Sequence, residues 1–150
     1  MRINPLDTSN YFRGLLVLVS REKQINQKER TLLKKIGRIL GFNQDFIDSA
    51  IDDLSNNKYV KTEVPLFSNC EVVELFLKDG IKLAFANDTL TIKQIEWLMA
   101  IAIRNRISKQ WFFIELENYI ENCSTEYNEE FELPKYFVPS YAEAVYVYQS

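Results

Sequence analysis

Apolar positions recur along this chain at the spacing of helical faces. Between Thr8 and Glu22, Phe12, Leu15, Leu16 and Val19 fall at i, i+3, i+4 and i+7, and Val17 and Leu18 add a second apolar side. That pattern predicts a first helix buried nearly all round. A second helix, from Gln27 to Leu40, turns Leu32, Leu33, Ile36, Ile39 and Leu40 inward; Gly41 stops it and Phe42 supplies the hydrophobic contact that follows such a stop. In "NQDFIDSAIDDLSNN", Phe46, Ile47, Ala50, Ile51 and Leu54 form the buried stripe of a third helix, with Asp45 and Asp48 near its start, where negative charge suits the helix dipole. "KYVKTEVPLF" reads as a loop or a short extended piece, because Val64 before Pro65 resists helix. A fourth helix from Asn69 to about Ala86 buries Val73, Phe76, Leu77, Leu83 and Ala84 and uses Gly80 for close approach to a neighbour. A fifth, Ile92 to Asn105, buries Ile95, Trp97, Leu98, Met99 and Ala102; a sixth, Lys109 to Asn122, buries Phe112, Leu116, Tyr119 and Ile120. The expected fold is an all-α, compact bundle of six or seven helices. The seventh would lie in "SYAEAVYVYQS", where Ser140 and Glu143 fit a capping box while "AVYVY" alternates like a strand; both readings stay open.

Aligning Ile25 with Leu90 places Leu32 over Trp97, Leu33 over Leu98 and Ile36 over Ile101. A helix, a polar elbow and a second helix thus recur at an offset of 65 residues, which predicts a pseudo-twofold internal repeat. At the elbows, Asn26 with Glu29, Thr91 with Gln94, and Ser68 with Glu71 all fit capping boxes: a short polar side chain accepts a backbone N–H while the Glu or Gln reaches back to the cap.

"YFRGLLVLVSREKQINQKERTLLKKIGRILGF" followed by "FLKDGIKLAFANDTLTIKQIEWLMAIAIRN" resembles the tellurite-resistance TerB-like family, small all-helical proteins with an internal repeat. The resemblance spans roughly Asn10 to Ile107, and its motif is an acidic elbow, a branched apolar residue and a helix opening with Glu. It implies a non-enzymatic module of stress and envelope-associated systems, with divalent metal binding by the elbow acids as a further possibility. Carried over by position, the metal ligands would be Glu22 and Glu29 in the first copy and Asp88, beside Asn87, in the second. The family's Asp-Gly pair reads "EK" in one elbow and "ND" in the other, and the second helix opens with Gln94. A hard cation wants several anionic oxygens; Gln serves a capping box well and a metal poorly. Capping therefore explains these residues better than coordination, and no cofactor is expected beyond that possible ion.

Composition supports this picture. The chain has 150 residues, four Gly and four Pro, too few for the turns of a sandwich or barrel, and 47% apolar content, ample for a core. Histidine is absent, which removes the His-dependent triads, most zinc sites and the commonest general base. Cys70 and Cys123 form no CxxC and read as reduced, packed thiols. Ser68 and Cys70 have no histidine to activate them, and neither Gly14 nor Gly80 belongs to a phosphate loop, so no enzymatic activity is expected. The run "GLLVLV" is read as core rather than as a signal peptide, and no stretch suits a membrane helix, so a soluble cytoplasmic protein is expected.

Charge is polarised. Residues 1–42 hold nine basic and three acidic side chains, a net of +6, against −5 for residues 43–80 and −4 for residues 81–150. The second helix concentrates Lys28, Arg30, Lys34, Lys35 and Arg38, a patch that could meet an anionic partner. Little aromatic interleaving and a pI of about 5.1 speak against nucleic acid. The chain divides into a helical domain, residues 1–123, and an acidic, aromatic arm, residues 124–150, expected to pack on the domain, near the basic helix, or on a partner. Self-association or a protein partner is the expected mode of action.

Overall fold

The computed structural model describes residues 3–21, 25–55, 63–87, 90–122 and 131–135. Six α-helices run through them: α1 (Pro5–Ser20), α2 (Gln27–Ile39), α3 (Gln44–Ser55), α4 (Cys70–Ala84), α5 (Ile92–Arg104) and α6 (Lys109–Asn122). Two 3-10 turns, Phe85–Asn87 and Leu133–Lys135, complete an all-α fold with no strand among the described residues. Residues 141–149, where helix and strand were both open, and Cys123 lie outside the described residues.

The centre of the bundle is α1 against α4. α1 starts three residues earlier than its apolar spacing indicates, because Asn4 caps it by accepting the Asp7 N–H at 2.8 Å and Pro5 supplies a first-turn φ. Residues 14–19 are all buried, so α1 is enclosed on every side over its last turns. α2 packs on α1 and α3, while α5 and α6 pack on α4 and on each other. Gly14 leaves room for a ring of α4: a Cβ there would stand 2.7 Å from Phe76 Cζ. The indole of Trp97 in α5 donates to the Gly14 carbonyl at 2.9 Å, tying α5 to the same spot.

α2 ends as its sequence indicates. The Phe42 N–H reaches the Gly37 carbonyl at 3.1 Å and the Gly41 N–H reaches Arg38 at 3.0 Å, the paired bonds of a Schellman stop, with Gly41 at φ 98°. Phe42 then lies against Phe12 and Phe46. Phe46 itself is half-exposed rather than buried, a ring stacked over Phe42 at the rim of the core. Ile120 is also exposed, since the inner face of α6 is set by Phe112, Leu116 and Tyr119 and leaves Ile120 outside. Cys70 is exposed at the first turn of α4 and not packed.

The entry to α4 corrects one cap. Asn69, not Ser68, is the N-cap and accepts the Val72 N–H at 3.0 Å. Ser68 is diverted to the buried carboxylate of Asp7, to which it donates both its hydroxyl and its N–H. Just before it, Asn105 at the end of α5 accepts the Phe67 N–H at 2.8 Å and donates to the Pro65 carbonyl at 3.0 Å. The connection into α4 is therefore fastened by α1, where Arg13 also donates to the Glu63 carbonyl at 2.6 Å and Asn10 to the Leu66 carbonyl at 3.5 Å, and by Asn105 at the end of α5.

Candidate functional site

Of the three elbow acids singled out by the sequence, Glu22 and Asp88 lie outside the described residues. Glu29 is fully buried at the first turn of α2. Its Oε1 accepts the Asn26 N–H at 3.0 Å while Asn26 Oδ1 accepts the Glu29 N–H at 2.7 Å, a complete capping box. Thr91 and Gln94 repeat it at α5, with bonds of 3.1 and 3.2 Å. Gln94 is equally buried, and its amide Nε2 also donates to the Leu18 carbonyl of α1 at 3.4 Å. A carboxylate has no proton to offer there, which is a physical reason for Gln at this elbow. Among the described residues no three Asp, Glu or Cys side chains converge as a metal-binding group.

The basic residues of α2 are spread between a neighbour and solvent. Lys34 pairs with Asp48 at 3.7 Å and Arg30 with Asp52 at 4.0 Å, so the acids of α3 answer part of the α2 charge. Lys35 and Arg38 are exposed, and Lys28 is partly so. Such exposed pairs contribute little to stability, but they lower the potential an approaching anion would meet.

The buried polar centre lies elsewhere, at a residue that was not singled out. Asp79 is fully buried in the middle of α4. Its Oδ2 accepts the Tyr11 hydroxyl at 2.6 Å and the Leu133 N–H at 3.2 Å; its Oδ1 accepts the Glu132 N–H at 2.5 Å. One turn along α4, Lys82 Nζ meets Glu132 Oε1 at 2.7 Å. Phe131 and Leu133, on either side of Glu132, are both buried in the core. Residues 131–135 thus sit on α4 of the helical domain, through Asp79 and Lys82, rather than near the basic α2; the rest of the arm lies outside the described residues.

Burial dominates the chemistry of this cluster. Loss of solvent pushes the Asp79 carboxyl up to about 6, although Tyr11, the two backbone N–H groups and Lys82 all favour its charged form. Burial, then the nearby Asp79, raises the Tyr11 phenol well above its ordinary range. Tyr11 therefore stays a protonated donor, and Asp79 is an acceptor with three donors aimed at it. The sequence does hold a signal for Asp79: it lies three residues after Phe76 and four before Leu83, inside the apolar stripe of α4. A lone acid on such a stripe must have partners, and these come from α1 and from the far end of the chain.

Large apolar side chains of α6 are left in solvent beside its core contacts, Phe113 making an edge contact with the buried Phe112. Phe113 and Ile120, seven residues apart and so on one stripe, are 46% and 54% exposed, and Ile114 beside them is 47% exposed. Compared with family models, with curated proteins and with solved structures, the chain matches none of them.

Proposed function

We propose that this chain is a non-enzymatic helical interaction module serving a stress response, of the TerB-like type its sequence resembles. The observation that carries the reading is the exposed apolar stripe Phe113–Ile120 of α6, large side chains left in solvent on a helix whose other face already supplies its share of the core. Protein surfaces that gather apolar side chains in this way are suited to a protein partner, and a second copy of the chain is the simplest one. The buried Tyr11–Asp79 pair is engaged by main-chain N–H groups of the chain itself, which supports an architectural use of that cluster rather than a catalytic one. At the elbows, the engagement of Glu29 in its capping box supports the same choice over metal coordination.

Sedimentation equilibrium of the wild-type chain and of a Phe113→Lys, Ile120→Lys variant tests the proposal. A wild-type mass that rises with concentration above the 17.7 kDa chain, and a variant that stays at that mass, supports self-association through α6. If the wild type stays monomeric, a photo-crosslinking side chain at position 113 in cells should capture a partner; no crosslink would defeat the proposal. Growth under tellurite of cells lacking the gene, complemented by the wild type and not by the α6 variant, tests the stress role.

A further inference from the structure

The contact between α4 and residues 131–133 has the composition of a peptide-recognition site. Asp79 takes two consecutive main-chain N–H groups, a contact that any non-proline sequence can make. Specificity then comes from side chains: apolar anchors at Phe131 and Leu133 and a carboxylate at Glu132 read by Lys82. The three residues alternate inward, half-out, inward. Tyr11, donating to Asp79 from α1, holds the carboxylate in place for this use.

α6, the last α-helix among the described residues, ends at Asn122, and the eight residues 123–130 separate it in sequence from Phe131. That connection carries Glu126, Glu129 and Glu130 and no basic residue. Residues 131–133, of which Leu133 opens the 3-10 turn Leu133–Lys135, join the bundle through their side chains and two N–H bonds to one carboxylate. Their release breaks no hydrogen bond inside α1 to α6.

We propose that the Tyr11–Asp79–Lys82 site recognises a partner peptide of the pattern apolar–Glu–apolar, and that Phe131–Glu132–Leu133 is its resident, autoinhibitory occupant. The tethered segment competes at high effective concentration, so an outside peptide gains access when the resident is weakened or drawn away. This site is separate from the α6 stripe and does not depend on it.

The test uses the full chain and a fluorescent peptide with the sequence of residues 128–138. Binding is followed by anisotropy to the wild type and to a Phe131→Ser, Leu133→Ser variant whose helical circular dichroism is checked first. The variant should bind at least tenfold more tightly than the wild type, and a peptide carrying Ser at both anchor positions should not bind. A Lys82→Glu change in that variant should weaken the native peptide and favour one with Glu132→Lys. If the double variant fails to fold, Glu132→Lys in the full chain opposes Lys82 and frees the site by repulsion, and the same peptide is titrated against it. A folded variant that ignores the peptide, or binds the serine peptide equally well, overturns the proposal. So does a wild-type dimer abolished by Leu133→Ser, which would assign the site to exchange between copies.

Discussion

The hydroxyl of Tyr11 in α1 donates a 2.6 Å hydrogen bond to Asp79 in α4, joining two buried groups 68 residues apart in sequence. Tyr11→Phe keeps the ring and its edge contacts with Phe67 and Phe76 but leaves the carboxylate short of one donor. A loss of about 1.5–3 kcal/mol is expected, the range for a hydrogen bond to a charged group. Urea unfolding checks it, and the Asp79 carboxyl should titrate higher still, because the Tyr11 bond favours its charged form.

Asp79 should give stability a pH dependence. Its carboxyl titrates near 6 in the fold and near 3.9 unfolded, so the native state holds the proton more tightly. The stability this group contributes is fully present below the unfolded value and is lost as pH rises through about 6. A shift of that size corresponds to about 3 kcal/mol. Unfolding curves of wild type and Asp79→Asn, compared between pH 4 and 7, should diverge by that slope; parallel curves would refute the assignment.

Gly14→Ala brings a Cβ to 2.7 Å from Phe76 Cζ, a ring tip held in a fully buried ring. Overpacking should outweigh the helix-propensity gain and cost about 1–3 kcal/mol. Adding Phe76→Leu removes the clashing ring, so the double mutant should recover part of the loss that the two single changes predict in sum.

The two capping boxes predict equal behaviour at both elbows. Asn26→Ala and Thr91→Ala should each cost about 1 kcal/mol, and Glu29→Gln should keep its box and cost less than Glu29→Ala. Thermal unfolding with and without added calcium, magnesium or zinc separates this from metal binding. An ion held by Glu29 would raise the midpoint of the wild type and not of Glu29→Gln.

Local signals were the legible ones. The caps at Asn26 and Thr91 and the Gly41 stop depend on neighbours within a few residues, and each formed as its sequence indicates. The inward faces of α4 and α5 were legible for the same reason, because periodicity states which side is apolar. What could not be read was which apolar residues lack a neighbour: Phe46 and Ile120 fit their stripes, yet both are exposed, since exposure depends on what packs opposite. Ser68 looked like a cap until Asp7, 61 residues away, claimed it. Asp79 lay in plain sight on an apolar stripe, but its partners come from residues 11, 132 and 133, and no local pattern joins them.

The double fastening of the connection into α4 bears on how the chain folds. Asn105 holds Phe67 and Pro65 across 38 and 40 residues, and Asp7 holds Ser68 across 61. Contacts of such separation form late, after the loops between them close. The lead-in to α4 is therefore complete only when both α1 and α5 have arrived, so the chain up to α4 cannot finish its hydrogen bonding on the ribosome before α5 emerges. In native-state hydrogen exchange the Phe67 amide should be a reporter of that joint closure, exchanging with the slowest helical amides despite lying outside any helix.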